Sequence, residues 1–270
     1  MPTVAVNGLE LFFQDDEPRH DGGKLPIVML HGFARNGNFW DSWLPRLTER
    51  YRVVRPDIRG CGSSEDPGTD YEFEVDDLVS DYLGLLSALG LDRVHHIGES
   101  TGGIVGALAA ARRPEQFASL TLVSTPITPL TSDPKVKSPG AATPEESLAQ
   151  LGLKRWWLEA RALTGDLFGD ERDDALATDF ARTPVHVAVS MWRGMHRPHV
   201  SLAPYLDRLT MPTLVLTPTA SSTMSPAQQE ELVATAPGAR QRLYEGAPHG
   251  MYYLHGDALA ADVLEFIDGV

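Results

Sequence analysis

The chain has 270 residues with 37 acidic and 23 basic side chains, and its formal net charge of −14 disfavours nucleic acids and anionic membranes as partners. Its single cysteine, Cys61, excludes an internal disulfide. No apolar run approaches the roughly 18 residues of a membrane span, and the first residues lack the basic start and long apolar stretch of a signal peptide. We therefore expect a cytoplasmic protein that acts on a small-molecule substrate. Nothing in the sequence excludes a homodimer.

Strand-like and helix-like segments alternate over the first half of the chain. Strands are predicted at 9–14, 26–32, 51–57, 94–100 and 119–124, and helices at 38–50, 75–90 and 101–114. In the second of these helices, Val75, Leu78 and Tyr82 recur at helical spacing, and Gly90 is a typical helix end. Strands interleaved with helices predict an α/β protein with a mostly parallel sheet covered on both faces.

The alternation stops after Pro126. A stretch rich in proline and small polar residues leads into helix-like segments at 147–165 and 184–196. Strands then resume at 213–217 and 240–246, with helices at 225–236 and 258–267. We therefore predict a core formed by residues 1–126 and 209–270, interrupted by a helical cap over residues 127–208.

A candidate nucleophile lies in the segment "GESTG" at residues 98–102, which fits G-x-S-x-G between a predicted strand and a predicted helix. A strand that turns directly into a helix strains the backbone at Ser100, and the flanking glycines let the two elements approach closely. The hydroxyl then stands at the positive end of the helix, where developing negative charge is stabilised. The simpler alternative is a glycine-rich turn without catalytic function. A phosphate loop is excluded because no GK[ST] follows.

Two backbone N–H groups are candidates for an oxyanion hole. Phe33 follows the predicted strand in "HGF", and Thr101 follows the candidate nucleophile. Only the backbone of Phe33 is required for this function, so the identity of its side chain matters little. His31 is interpreted as a structural residue.

His249 is the candidate general base. It lies in "GAPHG" after the last predicted strand, and serine needs a base because it is a weak nucleophile by itself. His95 and His96 fall inside a strand and are expected to pack. The segment "HRPH" at 196–199 has a loose metal-ligand appearance but lacks a carboxylate partner, so no metal site is predicted.

The sequence resembles the α/β-hydrolase superfamily. Four segments occur in the order found in that family: "HGF" at 31–33, "RPDIRGCGSS" at 55–64, "GESTGG" at 98–103 and "GAPHG" at 246–250. The resemblance covers the whole predicted core and leaves the insertion as a cap of the usual size and position.

The resemblance implies an α/β-hydrolase fold and a capped serine hydrolase of the esterase, lactonase or carbon–carbon hydrolase type. It implies Ser100 as nucleophile, His249 as base, and the backbone N–H groups of Phe33 and Thr101 as oxyanion donors. It implies no cofactor.

The expected catalytic acid is missing. In most relatives it lies on the turn after the strand "TLVLT", and in this chain that position falls at or next to Ser221. The acid normally holds one tautomer of the histidine and stabilises the imidazolium. We favour a dyad in which Ser221, Thr219 or a carbonyl orients His249. Glu245 and Glu99 are the alternative carboxylates.

The substrate is expected to be apolar or aromatic because the predicted cap is rich in large apolar side chains. The candidate substrate-binding residues are Trp156 and Trp192 in the cap, with Phe39, Trp40 and Met251 flanking the site in the core. Helical spacing makes ordinary packing the competing explanation for these side chains.

The most favoured function is hydrolysis of a carboxylic ester or lactone. One alternative is a carbon–carbon bond hydrolase of ring-cleavage-type diketones, and another is a ligand-binding protein on the same scaffold. A serine nucleophile excludes epoxide hydrolase and haloalkane dehalogenase chemistry, which the resemblance links to an aspartate.

Overall fold

The computed structural model describes residues 2–20, 23–129 and 138–270. It contains eight strands, namely β1 (Thr3–Val6), β2 (Leu9–Asp16), β3 (Ile27–Leu30), β4 (Val53–Pro56), β5 (Val94–Glu99), β6 (Phe117–Val123), β7 (Thr213–Pro218) and β8 (Ala239–Tyr244). All eight form one sheet in the order β1-β2-β4-β3-β5-β6-β7-β8. The pairs β1–β2 and β2–β4 are antiparallel, and every other neighbouring pair is parallel.

The inner strands are buried on both faces, which explains their nearly continuous apolar sequence. Every residue of β3, β4, β5, β6 and β7 is buried. Parallel strands are covered by crossover helices on both sides, so they lack the alternation of a half-exposed strand. The prediction of an α/β fold with a mostly parallel sheet is confirmed.

Nine α-helices occur in the described ranges. They are α1 (Leu44–Leu47), α2 (Val75–Ala88), α3 (Thr101–Arg112), α4 (Pro144–Thr164), α5 (Glu171–Phe180), α6 (Val185–Met195), α7 (Pro226–Thr235), α8 (Met251–Leu254) and α9 (Gly256–Ile267). No helix within those ranges has the length and apolar character that crossing a membrane would require.

The helix predicted at 38–50 is wrong in detail. The structure has a 3₁₀ helix at Gly37–Trp43, followed by the single turn α1. Pro45 lies in the first turn of α1, where its missing N–H costs nothing, whereas inside one long helix it would break the hydrogen bonding. The strand β1 and the helix α5 were not predicted.

Helices α4, α5 and α6 lie between β6 and β7 in the chain, and we call them the helical insertion. Within it, α4 packs on both α5 and α6. Two hydrogen bonds attach it to the loop after β3: Asn36 Nδ2 donates to Asp179 O at 3.0 Å, and Thr183 Oγ1 donates to Ala34 O at 3.1 Å. The insertion is therefore fixed directly beside the carboxyl end of β3.

Three histidines of the core pack as structural residues, as their positions in strands suggested. His31 Nε2 accepts from Ile58 N at 3.0 Å, His95 Nδ1 contacts Ser119 Oγ at 2.8 Å, and His96 Nδ1 contacts Tyr82 OH at 2.7 Å. Burial lowers the pKa of His31 to about 4 and that of His96 to about 3.

These two pKa values predict acid destabilisation. Below pH 6.5 the unfolded chain takes up protons at His31 and His96 that the folded chain refuses, so the free energy of unfolding falls as pH falls. Between pH 7 and pH 5 each histidine contributes a loss of up to about 2 kcal/mol.

Asp57 opposes this trend in part, because burial raises its pKa to about 6 and the folded chain binds that proton first. We expect the urea midpoint to be clearly lower at pH 5 than at pH 7. An equal or higher midpoint at pH 5 would contradict the assignment of neutral buried histidines.

Candidate active site

Ser100 lies in a strained turn between β5 and α3. Its backbone has φ 49° and ψ −113°, in a region that residues with a Cβ rarely adopt. The turn is possible because α3 crosses close to β3: a Cβ on Gly102 would lie 2.1 Å from Leu30 O. The close approach lifts the Ser100 side chain clear of both elements, and Ser100 lines a cavity under the helical insertion.

His249 is held through its backbone and through its ring. It lies on the loop between β8 and α8, is 4% exposed, and lines the same cavity as Ser100. Ser124 Oγ, from the end of β6, donates to His249 O at 2.9 Å. Thr223 Oγ1 lies 2.6 Å from Nδ1 and Ser221 Oγ lies 3.2 Å from the same nitrogen.

The turn after β7 therefore presents two hydroxyls to the imidazole. Ser221 was one of the candidates from sequence, whereas the closer partner, Thr223, was missed although it lies only two residues further along the same turn. Thr219 and Glu245 form a separate pair, with Thr219 Oγ1 donating to Glu245 Oε2 at 3.2 Å on the exposed rim. The structure does not bring these two residues to the imidazole, because β8 ends before Glu245 and directs it toward the solvent.

Glu99 contacts the other side of the imidazole. This side chain is fully buried; its Oε1 lies 3.3 Å from His249 Nε2, and its Oε2 accepts from Arg35 Nη1 at 2.5 Å. Gly32 makes room for it, since a Cβ there would lie 2.0 Å from Glu99 Oε2. Burial raises the pKa of Glu99, and the guanidinium of Arg35 opposes that shift.

A second buried ion pair connects the helical insertion to the histidine loop. Arg161 Nη1, on α4, donates to Asp166 Oδ2 at 2.6 Å, and Asp166 Oδ1 accepts from Gly250 N at 2.9 Å. Tyr253 OH donates to Asp166 O at 2.6 Å. Asp166 is fully buried, so the position of His249 depends on a carboxylate that the insertion supplies.

Aromatic side chains form a large part of the cavity wall. Its aromatic lining residues are Phe33, Trp156, Trp157, Phe180 and Trp192. Phe33 packs edge-on against Trp192 with ring centroids 5.3 Å apart, and Trp156 stacks on Phe180 at 5.9 Å. Trp156 and Trp192, both candidates from sequence, thus border the space above Ser100.

Phe39, Trp40 and Met251 do not line this cavity, and their prediction as substrate-binding residues is wrong. Each is at most 1% exposed and packs in the hydrophobic core. Trp40 packs against Tyr252 with ring centroids 4.9 Å apart. The 3₁₀ helix turns Phe39 and Trp40 inward, and Met251 is buried at the start of α8. Nearness in the sequence to Phe33 or His249 does not reveal this.

Phe33 and Thr101, the two oxyanion donors expected from the sequence, both border the cavity. Phe33 follows β3 and Thr101 is the first residue of α3, and both line the cavity with Ser100. The first N–H groups of an α-helix have no partner within the helix, so the N–H of Thr101 can bind a substrate oxygen. Within the described ranges, no group of three or more histidine, cysteine, aspartate or glutamate side chains could hold a metal ion.

The sheet order, the strained serine turn and the histidine after the last strand together define a hydrolase fold. The family described as "alpha/beta hydrolase fold" matches residues 26–256. The chain belongs to this family and is an enzyme of the alpha/beta hydrolase class.

Several relatives are similar over different parts of the chain. A non-heme chloroperoxidase from Streptomyces lividans is 31% identical and covers 99% of both chains. A 2-hydroxymuconate semialdehyde hydrolase from Pseudomonas is 36% identical over 40% of this chain and 41% of its own length. Among solved structures, the enol-lactonase from Burkholderia xenovorans is 27% identical, with a TM-score of 0.79, and covers 99% of this chain and 100% of its own.

Proposed function

We propose that this protein hydrolyses a carboxylic ester or lactone of an apolar or aromatic small molecule through an acyl-enzyme on Ser100. The observation that carries the proposal is that Ser100 and His249 line one cavity, with Nδ1 of the histidine bonded to the Thr223 hydroxyl. Because Nδ1 is bonded to Thr223, Nε2 is the nitrogen that remains for proton transfer. It contacts Glu99, the residue that precedes Ser100 in the sequence.

The reaction begins when Ser100 Oγ attacks the carbonyl carbon and its proton passes to His249 Nε2. The carbonyl oxygen becomes an oxyanion, which the N–H groups of Phe33 and Thr101 bind. The carbon–oxygen bond to the leaving group then breaks, and the leaving oxygen takes the proton from Nε2. Water repeats the same steps on the acyl-enzyme and restores Ser100. In a lactone the leaving alcohol stays attached to the acyl group.

The aromatic wall supports the proposal of an apolar or aromatic acyl group, because aromatic groups pack favourably against aromatic rings. The similarity to an enol-lactonase over the full length of both chains supports a lactone as one substrate class. The similarity to a 2-hydroxymuconate semialdehyde hydrolase supports carbon–carbon bond hydrolysis as the second candidate. Incubation with a vinylogous diketone distinguishes the two enzyme classes. Cleavage of this compound would indicate a carbon–carbon bond hydrolase, and an intact compound would favour an ester or lactone hydrolase.

The proposal is tested with a fluorophosphonate probe and a panel of p-nitrophenyl esters. We expect the probe to label the wild-type protein and not the Ser100→Ala variant, together with turnover of at least one ester or lactone. A protein that neither reacts with the probe nor hydrolyses any member of the panel would favour a ligand-binding function.

The aromatic wall gives a prediction of its own. Trp192→Ala should raise KM for p-nitrophenyl benzoate by about 5- to 10-fold relative to KM for p-nitrophenyl acetate, because the larger acyl group loses an apolar contact. The matched control is Leu163→Ala on the same insertion, since Leu163 is 59% exposed. Equal changes for the two esters would show that the acyl group lies elsewhere.

A further inference from the structure

The turn that normally supplies the catalytic acid supplies only neutral hydroxyls in this chain. Thr223 and Ser221 contact Nδ1 of His249, and the segment 217–226, "TPTASSTMSP", contains no carboxylate. A hydroxyl can donate or accept, so it fixes the ring plane without selecting one tautomer. It also carries no charge with which to stabilise the imidazolium. Stabilising the imidazolium, the second function of the missing acid, must therefore come from another group.

We propose that Glu99 is the counter-charge of His249, acting at Nε2 in place of an acid at Nδ1. This inference rests on the proposed function. Glu99 Oε1 lies 3.3 Å from Nε2, the nitrogen that takes the proton of Ser100. Within the described residues Oε1 accepts no hydrogen bond of good geometry, so its charge is available to the imidazolium that forms during attack.

The surroundings of Glu99 fix its position. Arg35 binds Oε2 at 2.5 Å and itself lies over the ring of Tyr252, 5.0 Å from the centroid. Burial raises the pKa of Glu99, whereas the nearby guanidinium groups of Arg35 and Arg161 favour its ionised form and Asp166 disfavours it. Because an arginine stays charged at all relevant pH values, Glu99 is anchored as one half of an ion pair with one oxygen left for His249.

Glu99 acts as a positioning residue that stabilises the proton on Nε2 without taking it up. When Nδ1 carries the ring proton, it donates to Thr223 and Nε2 faces the carboxylate, whose charge raises the affinity of Nε2 for a proton. When Ser100 attacks, its proton moves to Nε2 and the imidazolium forms an ion pair with Glu99. The same proton then passes to the leaving oxygen, so Glu99 begins and ends the cycle ionised.

The test is Glu99→Gln, which keeps the shape of the side chain and removes its charge. We expect kcat for a p-nitrophenyl ester to fall roughly 10- to 1,000-fold with little change in KM. The acidic limb of the pH profile should move to lower pH by about 1 to 3 units, because an opposite charge at this distance favours the protonated imidazole by that amount. Glu231→Gln, an exposed carboxylate on α7, removes the same formal charge and should leave both quantities unchanged.

A rescue variant separates this role from a structural one. Ser221 Oγ is 3.2 Å from Nδ1, so Ser221→Asp places a carboxylate where most relatives carry one. In the Glu99→Gln background it should recover at least 10-fold in kcat and return the acidic limb toward its wild-type position. If Glu99→Gln does not fold because Arg35 loses its partner, the double variant Glu99→Gln, Arg35→Met removes both charges, and the same loss and the same rescue are expected.

The proposed hydrolase function and the proposed role of Glu99 can be tested separately. The measurement is the rate at which the fluorophosphonate probe labels Ser100 as a function of pH. A wild-type protein that is not labelled at any pH contradicts the proposed function. A protein that is labelled with the same pH profile in the wild type and in folded Glu99→Gln overturns the role of Glu99. Failure of Ser221→Asp to restore any activity to the folded variant overturns it as well.

Discussion

Replacing Ser100 or His249 by alanine is expected to lower kcat for ester hydrolysis by about 10⁴- to 10⁶-fold. Ser100→Ala removes the atom that forms the acyl-enzyme. His249→Ala removes the imidazole that lines the cavity with Ser100 and is held by the turn after β7. Because both act in one step, the double variant should be no slower than either single variant. Steady-state kinetics measure the loss of turnover, and labelling by the fluorophosphonate probe measures the loss of a reactive nucleophile independently.

Two exposed positions provide matched controls. Ser87→Ala, on the outer face of α2, and His20→Ala, after β2, change the same residue types at exposed sites. Both should keep wild-type kinetics. Turnover of Ser100→Ala within about tenfold of the wild type would mean that the chemistry does not pass through an acyl-enzyme.

The nucleophile turn could be read from the sequence because all of its determinants are local. A buried strand, a G-x-S-x-G segment and a small-residue helix follow one another without interruption, and the geometry at Ser100 depends on the spacing of Gly98 and Gly102. The sheet was predictable for a similar reason, since inner parallel strands appear as short apolar runs between helices.

Side chains that meet across the fold could not be read in this way. Glu99 lies beside Ser100 in the sequence, but its contact with Arg35 joins the end of β5 to the loop after β3 and depends on the space left by Gly32. Asp166 reaches the histidine loop from the helical insertion over a separation of 84 positions. No spacing rule predicts such pairs, because they depend on how segments distant in the sequence pack against one another.

The error at Phe39 and Trp40 has the same origin. Their position after β3 suggested the mouth of the site, yet the 3₁₀ helix rotates both rings into the core beside Tyr252. Helix α5 was missed because its sequence, "ERDDALATDF", is mostly polar. Its start is fixed by Asp170, whose side chain accepts from Arg172 N, and its buried residues are Asp173, Ala177 and Phe180.

Removing the hydroxyls that face the imidazole is expected to lower kcat/KM roughly 10- to 100-fold, the range for losing a hydrogen bond to a charged group. Thr223→Val should account for most of the loss, since its Oγ1 lies 2.6 Å from Nδ1, against 3.2 Å for Ser221 Oγ. Valine keeps the shape of threonine, so the ring loses its partner and gains freedom to turn without a change in packing.

Ser221→Ala alone should lower kcat/KM only a few-fold. Ser222→Ala, which lies between the two positions in the sequence, is the control that should leave the kinetics unchanged. If Ser221→Ala proved as damaging as Thr223→Val, the shorter contact would not be the one that orients His249. If neither variant had an effect, Glu99 and the backbone bond from Ser124 would suffice to hold the imidazole for proton transfer.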